Sequence, residues 1–330
     1  EQDADSGSVT LSMPAYVEEL LEKVNMAGVN GKDTPFPPGL VLRKEDMPVT
    51  PEDVSAMACE PYCSYRSLVG ALLYLAGAVR PDIAYAVNTL ARYSSNPGRK
   101  HWDALVHLLK YLKKTMGYGI TYHGRRLQEQ VLASEGQDRR VPSLRNGGVP
   151  NPTLVSESYC NNLTAFADSD FAGDVNSRCS TSGWVLMMNG GPVAWRSHLQ
   201  KSVSTSTTEA ELYSLSDCLK EIIFMQRILA ELGWAQPRIR AGRAISNSGT
   251  AVFEDNKGCR DTTQNNGYVS GRAKHIDIRR NFVQSHVALG VMCVCECSTD
   301  DMVADLLTKA VAKDVHLKLR DRLMGCPPRL

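Results

Sequence analysis

The sequence lacks any apolar run close to the roughly 20 residues that a helix needs to cross a bilayer. Its first residues, EQDADSGS, are polar and acidic, unlike the basic and then apolar pattern of a secretory signal peptide. We therefore expect a soluble, intracellular protein with no membrane partner.

The ten cysteines include no CxxC pair of the kind that binds zinc. Cys293, Cys295 and Cys297 alternate, so on a strand all three would lie on one face without forming a CxxC pair. Their irregular spacing in a long chain is also unlike a disulfide framework. The sequence favours reduced and mostly buried thiols.

Length and charge indicate two compact units joined by linkers. The chain has 330 residues, of which 43% are hydrophobic, and this excludes wholesale disorder. The net charge of +1 hides an uneven distribution: residues 1–60 contain 4 basic and 12 acidic side chains, whereas residues 61–126 contain 10 basic and 2 acidic. The basic block could lie against a polyanion.

The first half of the chain has the period of helices. Residues 13–27 predict one helix, which a long loop follows, and three further helices are predicted from Tyr65 onward. The third of these has an apolar face that includes Leu105 and Leu112, while Lys110, Lys113 and Lys114 lie on its outer face.

The second half changes to the period of strands. Strands are predicted at 163–168, 183–188, 192–196, 251–254 and 291–297, and helices at 209–232, 274–289 and 301–309. The order predicts the α/β class, in the form of a mixed α+β sheet with helices packed on it.

Four acidic residues occur where these predicted strands end or helices run. They are Asp168 in TAFADSDFAGD, Glu211 in STTEAELYSLS, Asp255 in AVFEDNKG and Asp305 in DDMVADLLTKA. Carboxylates are suitable ligands for Mg²⁺, and two such ions can promote phosphodiester hydrolysis. Each acid taken alone is equally well explained as a turn, a helix cap or a solvated side chain. Their joint placement predicts a metal-dependent nuclease in which at least one carboxyl has a raised pKa.

Several motifs resemble the Pol polyprotein of copia-type LTR retrotransposons. They are YRSLVGALLYLAGAVRPDIAYAV, ADSDFAGD, STTEAEL, EDNKG, RAKHIDIRRNF and DDMVADLLTKA, and the resemblance runs from about Ser12 to Leu323. It implies the end of a reverse transcriptase followed by a ribonuclease H-like fold. The division would be 1–60, an acidic segment with one helix and a loop; 61–124, a basic helical thumb or connection region; 125–160, a linker or insertion; 161–310, the ribonuclease H-like domain; and 311–330, a helix and tail.

The resemblance assigns catalysis and metal binding to Asp168, Glu211, Asp255 and Asp305, with two Mg²⁺ ions that Mn²⁺ can replace. The implied reaction cuts the RNA strand of an RNA–DNA hybrid and leaves a 3′-hydroxyl and a 5′-phosphate. Asp170 and Glu209 are near neighbours outside the motif and serve as controls. The implied partners are the hybrid and the polymerase part of the polyprotein. The implied location is cytoplasmic virus-like particles, with the nucleus as a second compartment.

Further residues are candidates for contact with nucleic acid: Arg272, Lys274, His275, Lys110, Lys113 and Lys114. A solvated helix face is the alternative for such cations. No Asp-Asp polymerase motif precedes the helices, so DNA synthesis by this chain alone is not expected. An inactive retroelement relic or an accessory nucleic-acid-binding subunit is the alternative function, while an integrase or transposase fits the spacing of the acids poorly.

Overall fold

The computed structural model describes residues 2–4, 7–26, 28–59, 61–123, 162–234, 249–264 and 274–326. The predicted linker at 125–160 lies outside these residues. None of the described helices is long and apolar enough to span a membrane.

The first half is helical, as predicted. Its helices are α1 (Pro14–Lys23), α2 (Pro51–Met57), α3 (Tyr65–Ala78), α4 (Ala84–Ala91) and α5 (Arg99–Lys114). Two strands, β1 (Val9–Ser12) and β2 (Gly119–Tyr122), pair antiparallel beside them. The apolar face of α5 is buried in the core of this half, including Leu105 and Leu112.

Helix α2 interrupts the long loop that the sequence predicted, so that prediction was wrong at this point. Thr50 caps the helix by accepting a hydrogen bond from the Asp53 amide at 3.1 Å, and Pro51 occupies the first turn. No residue of α2 is buried, so its apolar pattern gave no signal.

The second half contains a five-stranded sheet. Its strands are β3 (Thr164–Asp170), β4 (Thr181–Met188), β5 (Gly191–Leu199), β6 (Thr250–Glu254) and β7 (Met292–Glu296). Their order is β5-β4-β3-β6-β7; β3, β4 and β5 are antiparallel, whereas β3, β6 and β7 are parallel. The predicted mixed α/β class is confirmed.

Helices cover both faces of this sheet. They are α6 (Thr207–Glu231), α7 (Lys257–Gln264), α8 (Lys274–Ala288) and α9 (Lys313–Leu323). Because side chains alternate along a strand, Ala167 and Val252 pack under α6, while Phe166 and Phe253 stack on the other face, whose core includes Leu319 of α9.

The predicted helix at 301–309 is replaced by two 3₁₀ turns, Thr299–Asp301 and Val303–Leu307. Met302 lies between them with extended backbone (φ −72°, ψ 90°) and a fully buried side chain, which breaks the helix. Asp305 therefore lies in a short tight turn against the sheet and not at the start of a helix.

The two halves are packed together. The indole Nε1 of Trp195 on β5 donates a hydrogen bond to the carbonyl of Ala76 on α3 at 2.9 Å. Ala84 of α4 belongs to the core beneath the sheet, and Met324 belongs to the core of the helical half. The division at residues 60, 124, 160 and 310 stays a prediction.

Candidate active site

Three of the predicted acids meet at one edge of the sheet. Asp168 lies near the end of β3, and Asp255 directly follows β6, its parallel neighbour. The carboxyl ends of parallel neighbours share an edge, and Glu211 reaches the same edge from the second turn of α6. One carboxylate oxygen from each residue lies within 4.8 Å of the other two.

Asp305 joins this group through a lysine. The ammonium of Lys309 lies 2.8 Å from Asp305 Oδ1 and 3.8 Å from Asp168 Oδ2. The hydroxyl of the intervening Thr308 donates a hydrogen bond to Asp168 Oδ2. The structure therefore brings all four predicted acids together, and we call Asp168, Glu211, Asp255 and Asp305 the acid cluster.

Burial and mutual repulsion change the acidity of the cluster. Burial raises the pKa of Glu211 well above its usual range, the charges of Glu254, Asp168 and Asp255 add to the rise, and the Ser169 hydroxyl opposes it. Burial, followed by the charge of Asp168, also raises the pKa of Asp255 and raises that of Asp305 to about 7.

The cluster has the donors that a hard divalent cation needs. Asp168, Glu211 and Asp305 are 2%, 5% and 4% exposed, so their negative charges have little solvent around them. Glu211 Oε2 is buried and has no hydrogen-bond partner of good geometry within the described part of the chain. A buried carboxylate oxygen without a partner is costly unless a cation or a proton accompanies it. The residues present therefore fit a hard divalent cation.

Two residues of this edge were missed by the sequence reasoning. Glu254, the last residue of β6, is fully buried; its Oε1 accepts a hydrogen bond from the Asn256 amide at 3.1 Å, and burial raises its pKa well above the usual range. The alternation that buries Val252 under α6 places Glu254 on the same face and could have found it. Lys309 follows Asp305 by four residues, a spacing typical of ion pairs on helical turns.

The two acids named as controls have other roles. Glu209 caps α6 together with Ser206: its amide donates to Ser206 Oγ at 3.1 Å, and its carboxylate accepts from the Thr205 amide at 2.6 Å. Asp170 lies beside Asp168 and Lys309. Burial raises the pKa of its carboxyl, the charge of Lys309 opposes the rise and the charge of Asp168 adds to it.

Of the predicted nucleic-acid contacts, the structure describes the side chains of the three lysines of α5. Lys114 is paired with Asp33 at 2.5 Å, and in the described residues no ion pair links Lys110, Lys113 or Lys114 to the four acids. Arg272 lies outside the described residues. Lys274 and His275 begin α8, but their side chains also lie outside the description.

Comparison with known proteins places the chain among retrotransposon proteins. No protein-family model matches the sequence. It is 33% identical over 324 residues, 98% of this chain, to the retrovirus-related Pol polyprotein from transposon TNT 1-94 of Nicotiana tabacum, and it covers 21% of that protein. It is 31% identical over 303 residues, 92% of this chain, to the corresponding protein from transposon RE1 of Arabidopsis thaliana, and it covers 17% of it. Secreted RxLR effector protein 161 of Plasmopara viticola is 35% identical over 161 residues, which are 49% of this chain and 90% of that protein.

Among solved structures, the chain resembles RNase H1 from Halobacterium salinarum, with 15% identity and a TM-score of 0.30 over 44% of this chain and 94% of that one. It also resembles LC11-RNase H1 in complex with an RNA/DNA hybrid, with 13% identity and a TM-score of 0.31 over 44% and 94% of the two chains.

The mixed five-stranded sheet with its flanking helices is a ribonuclease H-like domain. The chain belongs to the family of retrovirus-related Pol polyproteins from copia-type transposons, as the sequence motifs predicted. It spans about a fifth of the length of these two polyproteins.

Proposed function

We propose that the ribonuclease H-like domain hydrolyses the RNA strand of RNA–DNA hybrids and leaves a 3′-hydroxyl and a 5′-phosphate. The observation that supports this proposal is the convergence of Asp168, Glu211 and Asp255, whose oxygens lie within 4.8 Å of one another, with Asp305 beside them. Four like charges at one edge are unfavourable for the fold alone and are suited to holding cations over a phosphodiester.

Asp168, Glu211, Asp255 and Asp305 would hold two Mg²⁺ ions, for which Mn²⁺ can substitute. Such ions, when bound, supply an activated water and stabilise the leaving oxygen. The chain contributes the placement of these ligands. Lys309 pairs with Asp168 and Asp305 and offsets part of their charge, and the Thr308 hydroxyl fixes one oxygen of Asp168. Since burial and the charge of Asp168 raise the pKa of Asp305 to about 7, a proton competes with a cation for this ligand near neutral pH.

The proposed substrate is the hybrid, and the proposed protein partner is the polymerase part of the polyprotein. Arg272, Lys274, His275 and the three lysines of α5 remain proposed contacts with the phosphate backbone. Residues 61–124 would be the thumb or connection region, and the location would be cytoplasmic virus-like particles and the nucleus.

The full chain with Mg²⁺ or Mn²⁺, incubated with a hybrid whose RNA strand is labelled, tests the proposal. We expect cleavage of the RNA strand, and we expect Asp255→Asn to reduce the rate by more than about 100-fold, as for loss of a group that stabilises developing charge. Asp170→Asn is a matched control, because it removes the same charge beside the cluster.

Equal activity of the two variants would show that the metal site is placed wrongly. Binding of the hybrid without cleavage, at every divalent cation tested, would favour the accessory or relic alternative.

A further inference from the structure

The loop that follows the catalytic strand β3, residues 171–180, has an unusual backbone. Ala172 and Arg178 adopt the left-handed region with φ of 53° and 58°, although neither is glycine. Gly173 lies close to Asp170, since a Cβ at this position would lie 1.9 Å from Asp170 Oδ2 and would displace that side chain. Such conformations persist only where surrounding contacts hold them, and they concentrate at functional sites.

Asp174 holds the loop from inside. Its carboxylate accepts hydrogen bonds from the amide and the hydroxyl of Ser177, at 2.9 and 2.5 Å. Its carbonyl accepts from the Arg178 amide at 2.7 Å, and its amide donates to the Cys179 carbonyl at 3.2 Å. Asp174 is 8% exposed. The backbone and the buried side chain of Asp174 therefore together hold the turn around Arg178.

The helical half holds the same loop from outside. Arg92, which follows the last residue of α4, donates a hydrogen bond from Nη1 to Asp174 Oδ1 at 2.9 Å. Asn176 is fixed at both ends of its amide: Nδ2 donates to Tyr93 Oη at 3.0 Å, and Oδ1 accepts from the Lys44 amide at 2.9 Å. The fold of residues 171–180 thus depends on docking of the helical half.

Both ends of the loop are anchored beside the acid cluster. Asp170 pairs with Thr181 and Asp168 pairs with Gly183 across β3 and β4. Arg178, three residues before Thr181, is exposed and has no ion-pair partner within the ranges that the structure describes. An exposed guanidinium on a loop whose ends are anchored at this edge suits a phosphate of the substrate strand.

We propose that Arg92 is a positioning residue that holds loop 171–180, so that Arg178 binds a backbone phosphate of the nucleic acid beside the acid cluster. This inference rests on the proposed function, since it identifies how the substrate strand is held. It couples the helical half to the active site through the Arg92–Asp174 ion pair, which acts beside the hydrogen bonds of Asn176.

Hybrid binding and cleavage by Arg92 variants test the coupling. With Ca²⁺ in place of Mg²⁺, we expect Arg92→Gln to raise the Kd of a fluorescent hybrid by about 10-fold, which corresponds to about 1.4 kcal/mol. With Mg²⁺ we expect a similar rise in KM and a kcat within twofold of the unsubstituted chain. Arg92→Lys, which keeps a donor for Asp174, should stay within about threefold in Kd.

Arg178→Gln tests the contact itself. We expect the same rise in Kd, and we expect the slope of log Kd against log salt to fall by about one, as for loss of one phosphate contact. Lys23→Gln is the control, because Lys23 pairs only with Glu19 on the exposed side of α1 among the described residues.

Limited trypsin digestion measures how accessible loop 171–180 is in the absence of nucleic acid. The bond after Arg178 should be cut at least about 10-fold faster in Arg92→Gln than in the unsubstituted chain or in Arg92→Lys, because release of the turn makes the bond accessible. Mass spectrometry of fragments that end at Arg178 gives this rate.

Unchanged Kd and unchanged cleavage after Arg178 in Arg92→Gln would overturn the proposal, and so would a normal salt slope in Arg178→Gln or a chain that binds no hybrid. A chain that binds the hybrid but never cuts it would refute the proposed function instead, and the Kd and trypsin results would still decide the role of Arg92.

Discussion

The Arg80–Asp82 pair and the acid cluster both contain buried ionisable groups, but only the first group has a full set of hydrogen-bond and charge partners. Arg80 donates to both oxygens of Asp82 at 2.8 Å, and it also donates to the hydroxyl and the carbonyl of Thr115 at 2.7 and 3.0 Å. The Tyr111 hydroxyl donates to Asp82 Oδ2 at 2.6 Å. In the acid cluster, Lys309 pairs with Asp168 and Asp305, and Glu211 Oε2 has no hydrogen-bond partner in the described chain.

The comparison shows that burial of a charge alone does not indicate function. Burial acts to raise the pKa of Asp82, but the charge and hydrogen bonds of Arg80 outweigh it and lower that pKa. Burial also acts on Glu211, and there the neighbouring charges add to the rise. The Arg80–Asp82 pair connects α5 to the turn before α4. In the acid cluster, the buried carboxylates repel one another, and only a proton or a cation can relieve this repulsion.

Breaking the satisfied pair should have the largest effect on stability. Asp82→Asn leaves the Arg80 guanidinium buried without its counter-charge, and we expect a loss of about 3–5 kcal/mol in the free energy of unfolding. Urea titration followed by circular dichroism measures this loss. In metal-free buffer, Asp255→Asn should cost far less, because it removes a repulsive charge. If the two variants were equally destabilised, the acid cluster would stabilise the metal-free fold as much as the Arg80–Asp82 pair does, contrary to our expectation.

Divalent cations should stabilise the protein by binding to the acid cluster. At a Mg²⁺ concentration about 100 times its Kd, binding adds about 2.7 kcal/mol to the free energy of unfolding. The rise in Tm between EDTA and Mg²⁺, measured by differential scanning fluorimetry, checks this expectation. The rise should shrink in Glu211→Gln and persist in Glu209→Gln, since Glu209 only caps its helix. An equal rise in both variants would place the ion elsewhere.

The sequence predicted the cluster because its four acids follow or flank elements with clear periods. Asp168 lies near the end of one strand and Asp255 directly follows another; both strands have short, distinct apolar runs, and Glu211 lies on a long amphipathic helix. The strand order that brings them together depended on the family resemblance, since strand periods do not specify which strands become neighbours.

Other parts of the site could not be predicted from local pattern. Asp305 lies in a 3₁₀ turn because Met302 is drawn into the core, and this is a tertiary effect. Strand alternation places Glu254 on the same face as Val252, but the full burial of its carboxyl comes from the packing of α6 on that face. The ion pair between Arg92 and Asp174 joins residues 82 positions apart, a distance at which no sequence period operates.

Acidity should affect the stability of the metal-free protein through Asp305. Its pKa is raised from 3.8 to about 7, so the folded state keeps a proton that the unfolded state has lost. The stability contributed by this proton is complete below about pH 4 and is lost as the pH rises through 7. Between pH 5 and 8 the loss is about 2–3 kcal/mol. The Tm of the unsubstituted chain, relative to that of Asp305→Asn, should therefore fall over this range in EDTA. A constant difference between the two curves would show that Asp305 titrates normally.

Substitution of Trp195 should have the smallest effect on stability, because Trp195 lies between the helical half and the sheet and belongs to neither charged group. Trp195→Phe keeps an aromatic ring but removes the Nε1 donor to the Ala76 carbonyl, and we expect a loss of about 1 kcal/mol in the free energy of unfolding. Trp234→Phe makes the same chemical change at a tryptophan that is 51% exposed and should cost less. Because the bond joins β5 to α3 and leaves the acid cluster untouched, Mg²⁺ should raise the Tm of Trp195→Phe as much as that of the unsubstituted chain. A smaller rise would mean that contact between the halves supports the cation site beyond loop 171–180.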